Sequence, residues 1–400
     1  MNAAKRSTAT TEARHSAGHN AGRRVTIVGG GIGGLTAALA FARGGADVTV
    51  LEQAAAITEV GAGLQLAPNG AAPLGALGLT NVLHMAGIRA QRVEPTDALT
   101  GRTIAQFDLT RLTGQPYRFL HRAELIDILL TAACDAGVTL RTGAKVVGVD
   151  AAGAITLAHG AMPQADLTVG ADGLHSLMRP ALNGEAKAFF TRQVAWRAVI
   201  AHDAPPVARI WMAPGRHVVT YPLTRGRLNI VAVREQDDWS PEGWTNTDTP
   251  AAFQAAFADL CPDLRALLDK VTDVRLWGLF RHPVAARWHG EACAILGDAA
   301  HPTLPFLAQG ANLAIEDAYV LATCCDRSAD LPAALARYQA LRRDRVVRAI
   351  NGANANAVNY HLAGLRRFAS HAALRAVSRV SPGLFLRRMD WLYGHDVTRG

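Results

Sequence analysis

Val25-Thr26-Ile27-Val28-Gly29-Gly30-Gly31-Ile32-Gly33-Gly34 is the stretch that decides the fold. Its first four residues read as a short buried strand, and glycines follow at 29, 31 and 34. An apolar run from Leu35 to Arg43 then reads as a helix that Gly44-Gly45 stops. In that order, a strand, a Gly-x-Gly-x-x-Gly turn and a helix let the backbone close on a pyrophosphate, with the helix N-terminus supplying N–H groups and positive potential. Val48–Leu51 reads as a second strand. It ends in Glu52, 18 residues after Gly34, where a carboxylate can accept both ribose hydroxyls. This is a dinucleotide-binding βαβ unit, and taken alone it does not separate one dinucleotide from another.

A later stretch does separate them. Ile295 to Asn312 reads ILGDAAHPTLPFLAQGAN, in which a buried strand, Ala292 to Leu296, leaves through Gly297-Asp298 and a helix begins near Gly310-Ala311-Asn312. Asp298 can accept a hydrogen bond from the open-chain ribityl hydroxyls of a flavin, which a nicotinamide dinucleotide lacks. A helix N-terminus at Gly310 would stabilise the negative charge that develops at the pyrimidine edge of the isoalloxazine on reduction. A strand–turn–helix with a capping Asp is the plain alternative. A third element, Val169 to Ser176 (VGADGLHS) with Arg179 after it, is again a strand entering a glycine-rich turn, and alone it reads as an Asp-Gly turn.

Together these three motifs, GxGxxG, GADGLHS and GDAAHP, resemble the single-component aromatic flavoprotein monooxygenases. That family includes 4-hydroxybenzoate 3-hydroxylase, salicylate 1-hydroxylase, 3-hydroxybenzoate 6-hydroxylase and 6-hydroxynicotinate 3-monooxygenase. The resemblance runs from about Arg24 to about Tyr360. It implies an α/β fold: a Rossmann-like FAD-binding domain interleaved with an antiparallel-sheet substrate domain, and a helical C-terminus. It also implies that Gly29, Gly31, Gly34 and Glu52 hold the ADP half of FAD, that Asp298 holds the ribityl chain, and that Gly310, Ala311 and Asn312 face the flavin ring. Asp172 would lie by the pyrophosphate, and Arg122 at a helix start would contact the flavin, since a cation there opposes the helix dipole and needs an anionic partner. Gly61 to Leu66 resembles the loop beside the isoalloxazine; by residue type a plain turn fits equally well. The activity implied is oxygen insertion into an aromatic ring through a C4a-hydroperoxyflavin, with NAD(P)H and O2 as co-substrates.

No second GxGxxG unit follows midway along the chain. Val138 to Leu157, which carries Gly143, Gly148 and Gly153, reads as a hairpin, so the nicotinamide donor is expected to visit transiently. The five cysteines, at 134, 261, 293, 324 and 325, offer no CxxC for disulfide-reductase chemistry, and the His and Cys residues show no metal-ligand spacing.

From Asn183 to Asp273 the pattern turns to alternating strands, Arg192 to Ile200, Ala208 to Met212, His217 to Tyr221 and Leu228 to Arg234. His217 and Tyr221 stand four apart on one strand, so their side chains share a face with Val219 between them. A His and a Tyr so placed are ordinary packing residues in most strands. The H-x-x-x-Y-P pattern, however, resembles the hydroxybenzoate and hydroxynicotinate branch, and in that setting His217 is the expected general base on a phenol and Tyr221 its relay or anchor. Arg197 and Arg234 are candidates for a substrate carboxylate and Trp196 for ring packing, although opposite strand faces prevent Trp196 and Arg197 from both lining the pocket. Pro305 and Gln309, in the loop that would arch over the flavin, are further candidates for substrate contact. Phe306 stands where some relatives have a polar residue.

The boundaries expected are a disordered tail over 1–24, a discontinuous FAD-binding domain over 25–182 and 274–345, a substrate domain over 183–273, and a helical region over 346–400. Four hundred residues, half of them apolar, suffice for a large core. With no apolar run of transmembrane length and no signal-peptide hydrophobic region, the expectation is a cytoplasmic enzyme, monomeric or homodimeric. The formal charge of +8 sits mainly at the ends: five basic residues against Glu12 in the tail, and seven Arg against Asp390 and Asp396 after residue 360. The body is near neutral, so no nucleic-acid groove is expected. Two alternatives remain: a flavin dehydrogenase or oxidase of the same fold acting on a non-aromatic substrate, and a non-catalytic FAD-binding protein.

Overall fold

The computed structural model describes residues 18–57, 62–160, 162, 164–237, 247–381 and 383–399. Five parallel strands form the first sheet, in the order Cys293–Ile295, Leu167–Gly170, Arg24–Val28, Asp47–Leu51 and Thr139–Arg141. Their apolar runs are buried because helices cover the sheet, Ile32–Arg43 packing on both Arg122–Asp135 and Gly310–Asp326. Gly33 allows the close approach to Gly310–Asp326, since a Cβ there would meet Leu296 and Ala314.

The second sheet has seven strands, in the order Arg275–Arg281, Phe189–Ala201, Arg227–Glu235, Arg216–Leu223, Val207–Ala213, Arg92–Asp97 and Phe107–Asp108. It is antiparallel except where Val207–Ala213 runs parallel to Arg92–Asp97. Three of its strands therefore come from outside 183–273, and sheet membership does not follow the boundary expected there. One face packs on Phe253, Phe257, Leu264 and Leu268. The other meets Leu304, Phe306 and the helix Leu331–Tyr360. That helix starts where the Asp330 side chain accepts the Ala333 N–H at 3.1 Å, and it crosses the boundary expected at 345/346. A small sheet, in the order Gly63–Leu66, Arg118–His121 and Ile88–Arg89, lies between the two layers.

Two local expectations change. The run from Val138 to Leu157 is not one hairpin: Thr139–Arg141 joins the edge of the parallel sheet, and only Val146–Val149 and Ile155–Leu157 pair antiparallel. Of the tail expected over 1–24, residues 1–17 lie outside the described residues, but 18–23 are docked. His19 N–H donates to Asp326 O (3.0 Å), Asn20 Nδ2 to Ala322 O (3.0 Å) and Arg23 Nη1 to Cys325 O (3.3 Å). The last four carbonyls of a helix have no partner inside it, and this segment supplies partners for Cys325 O and Asp326 O. Among the described residues, no helix is long and apolar enough to cross a membrane.

Candidate active site

Four motif residues converge at the carboxyl edge of the parallel sheet. Gly29 follows Val28, Glu52 follows Leu51, Asp172 lies two residues past Gly170 and Asp298 three past Ile295. In open parallel sheets this edge is where ligands bind. Gly29 has φ +104° and a Cβ on it would strike the Ala171 carbonyl, while a Cβ on Gly34 would strike Gly29 O. Both positions therefore require glycine for the turn itself. Gly31 differs, because among the described residues a Cβ there would meet nothing within 4 Å and no side chain caps the helix it begins. Uncapped N–H groups beside open space suit a pyrophosphate. Glu52 stays at its post by accepting N–H bonds from Gly30 (2.8 Å) and Ala54 (2.9 Å). Asp172 accepts the Leu177 N–H at 2.8 Å through one oxygen, and its other oxygen, Oδ1, is buried with no hydrogen-bond partner among the described residues. Burial raises its carboxyl.

Asp298 is exposed, and desolvation by the protein around it raises its carboxyl against the pull of His301 and Arg122. Arg122 begins its helix as expected, its N–H donating to Ala62 O at 2.9 Å. Arg179 ties the second and third motifs together: Nη1 donates to Ala299 O and Ala300 O, each at 3.0 Å. Beneath the turn, Asp317 accepts from Gly297 N–H (3.1 Å), His301 Nε2 (2.5 Å) and Arg342 Nε (2.8 Å). Glu316 pairs with Arg342 (2.5 Å) and Arg345 (2.8 Å) and accepts from Asn69 (2.5 Å). Burial alone would raise the Asp317 carboxyl, but His301 and Arg342 hold it at about 2. His301 thus anchors this turn. Two adjacent acids inside the apolar run Leu313–Val320 are the sequence signal of this buried network.

The helix Gly310–Asp326 begins without a side-chain cap, with Ala311 in its first turn. Asn312 is fully buried and its side chain is occupied: Oδ1 accepts the Ala67 N–H (2.9 Å), and Nδ2 donates to Gln65 O (3.0 Å) and Ala308 O (2.8 Å). It stitches the 63–67 segment to the helix start. Gln309 is buried and accepts from Asn69 at 3.0 Å, while its Nε2 has no partner. Pro305 opens a short 3-10 turn that buries Phe306. Gly61 lies outside the described residues.

The register of the seven-stranded sheet puts His217, Val219 and Tyr221 on one face with Val233, Val231 and Asn229 across one neighbour. Arg197 joins them through its pairing with Val231. The centre of this face, at Val219, Val231 and Arg197, is only half-buried, while Val218, Thr220, Ile230 and Ala232 on the reverse are sealed. Trp196 is on the reverse, bonded to Asp248 at 2.8 Å, and Arg234 lies over the Trp196 ring at 5.3 Å. Arg197 therefore shares the His217 face, over the Trp277 ring at 4.5 Å, and Arg234 does not. His217 packs 5.3 Å from Phe306 and 5.2 Å from Tyr360, and burial with His361 beside it holds its imidazole well below the ordinary value. Burial raises the Tyr221 hydroxyl far above its ordinary value, against Arg197. A Cβ on Gly63 would strike Tyr221 and Asn229, and Gly63 N–H donates to Asn229 Oδ1 at 2.6 Å. Asn229 is fully buried with an unpartnered Nδ2. Only its register opposite Tyr221 could have singled it out.

The sequence profile of the FAD binding domain family matches residues 23–353. The chain is 34% identical to 3-amino-4-hydroxybenzoate 2-monooxygenase of Streptomyces platensis, over 94% of this chain and 96% of the relative. It is 33% identical to 3-hydroxybenzoate 6-hydroxylase of Polaromonas naphthalenivorans, over 93% and 96%. Its fold matches Klebsiella pneumoniae HpxO, solved with FAD and uric acid, at a TM-score of 0.81 and 26% identity over 94% of this chain and 97% of that one. Fold, cofactor edge and relatives agree: the chain belongs to the FAD-dependent aromatic monooxygenases.

Proposed function

We propose that this enzyme hydroxylates a small hydroxylated aromatic acid of the hydroxybenzoate, salicylate or hydroxynicotinate type, in the cytoplasm, with NAD(P)H as a transient donor. The observation that carries this reading is the half-buried sheet face shared by His217, Tyr221 and Arg197 beside Gly63 and Phe306. Gly29, Gly31, Gly34, Glu52, Arg122, Asp172, Asp298 and the Gly310-Ala311-Asn312 helix start would hold FAD. Held there, FAD would supply two-electron redox chemistry and, with O2, an electrophilic oxygen.

A ring accepts such an oxygen more readily as a phenolate. Held neutral by burial, His217 has a lone pair to take the phenolic proton. Tyr221, held protonated, donates a hydrogen bond that fixes the same oxygen. Arg197 meets the carboxylate on the same face. Pro305 shapes the loop at the ring end, and the free Gln309 Nε2 offers a donor to substrate or cofactor. The names of the two relatives above, an aminohydroxybenzoate monooxygenase and a hydroxybenzoate hydroxylase, support this substrate class.

The test is anaerobic reduction of the holoenzyme by NADH and NADPH, with and without 3-hydroxybenzoate, 3-amino-4-hydroxybenzoate, salicylate and 6-hydroxynicotinate, followed by aerobic product mass. At least one acid should speed reduction and gain one oxygen atom. His217→Ala should keep its FAD yet lose about a hundred- to ten-thousandfold in hydroxylation, and Tyr221→Phe should release hydrogen peroxide in place of product. Oxidation of the donor without oxygen insertion across a wider panel of phenols would favour a dehydrogenase or oxidase.

A further inference from the structure

His217 is not the end of its hydrogen-bond chain. Its Nδ1 lies 2.8 Å from His361 Nε2, and His361 Nδ1 lies 2.8 Å from Glu235 Oε1. Only the outer end of the chain is open: His217 is buried, the His361 side chain is 2% exposed, and the Glu235 side chain is 56% exposed. We propose that His361 and Glu235 form a relay that carries the substrate's phenolic proton from His217 to solvent. The proposal rests on His217 as the base and adds residues from two other elements.

The carboxylate at the outer end sets every tautomer. Ionised Glu235 only accepts, so His361 carries its proton on Nδ1 and presents Nε2 as an acceptor. His217 then carries its proton on Nδ1, and its Nε2 lone pair is left for the substrate hydroxyl. In the transfer, the phenolic O–H breaks and its proton joins His217 Nε2. The Nδ1 proton of His217 passes to His361 Nε2, and the Nδ1 proton of His361 passes to Glu235 Oε1 and on to water. Each electron pair stays on the atom that loses its proton, and both imidazoles end neutral. They return to the starting tautomers when the protons run back to the product.

Two features make the chain more than adjacency. The His217 ring is buried against Phe306 and Tyr360, where a standing imidazolium is costly, so a proton taken there needs an exit. The other titratable neighbours do not offer one. The Tyr360 hydroxyl is held protonated by burial and donates to Phe306 O at 3.3 Å. Asp97, two strands away, is occupied by Arg367 at 2.5 Å and His371 at 3.6 Å. The backbone also fixes the relay, since the turn residue Gly215 donates to His361 O (3.1 Å) and accepts the Glu235 N–H (2.9 Å).

The test reads proton release directly. Wild-type holoenzyme is mixed in weak buffer at about pH 8 with an indicator dye and a phenolic acid that perturbs its flavin spectrum, beginning with 3-hydroxybenzoate; a free phenol ionises near 10, so the ligand arrives protonated. Wild type should release a proton on binding, and His217→Ala should not. His361→Gln should bind the acid within about twofold of wild type yet release the proton roughly ten- to a hundredfold more slowly. Added imidazole should restore the rate in His361→Ala. Glu235→Gln, a surface change that spares folding, should slow release in the same direction. Wild-type release rates in both His361→Gln and Glu235→Gln, with His217→Ala still silent, would overturn the relay and leave the base in place. Release and hydroxylation unchanged in His217→Ala would remove the base and the relay together, and the absence of release from wild type with every phenolic acid tried would also overturn the relay.

Discussion

Asp298 stands exposed between buried Gly297 and Ala299, three residues past its strand, and a carboxylate so placed is read most simply as waiting for hydroxyl donors. A charge-assisted hydrogen bond to a ribityl chain is worth about 1.5 to 3 kcal/mol, so Asp298→Ala should bind FAD roughly ten- to a hundredfold more weakly. The measurement is flavin fluorescence released on serial dilution; equal retention in both proteins would take Asp298 out of the cofactor site. Glu52, Asp172 and Asp298 were legible in the sequence because each closely follows an apolar strand, Asp172 and Asp298 within a turn that carries glycine, a purely local signal. His361, Asn229 and Arg197 were not legible in the same way. His361 meets His217 across 144 residues, and the choice of Arg197 over Arg234 depends on register, which alternation within one strand does not determine.

Elements are joined here by a few occupied polar side chains. Asn312 fastens the 63–67 segment to the start of the helix Gly310–Asp326 by three bonds, and no Asn→Ala change can leave those backbone groups wet, because the site is closed. Asn312→Ala should cost about 2 to 3 kcal/mol in unfolding free energy, the penalty of unsatisfied buried donors and acceptors, and should also weaken FAD binding by loosening Gly63. A denaturant midpoint equal to that of wild type would show that the stitch bears no strain. The sequence pattern marked this helix start, and since the Asn312 side chain is bonded within the protein, the helix start would meet a flavin through its backbone. Short strands such as Arg92–Asp97, interrupted by Pro95, carry too little alternation to announce that they complete a distant sheet.

At the scale of the whole molecule, the charged cluster of Glu316, Asp317, Arg342 and His301 sits where helices and turn meet, and it ties folding to acid. The Asp317 carboxyl is about 2 when folded against an ordinary 3.8, so its contribution is complete above 3.8 and is lost as pH falls through 2. That amounts to roughly 2 kcal/mol, and Glu316, also held low by Arg342 and Arg345, acts in the same direction. Asp317→Asn leaves Arg342 and His301 facing a neutral partner in the interior and should cost about 3 to 5 kcal/mol near neutral pH. Its stability should then change less than that of wild type between pH 4 and pH 2; parallel acid-unfolding curves would disprove the coupling. The seven-stranded sheet, finally, works as a partition. Along Arg216–Leu223, His217, Val219 and Tyr221 share the face that is half-open at Val219, while Val218 on the reverse packs into the core of Phe253 and Phe257. Substrate preference can therefore drift through Val219 and Val231 while His217 and Tyr221 keep the chemistry and the reverse face keeps the fold, so that a lineage of such enzymes can trade one aromatic acid for another without renegotiating its own stability.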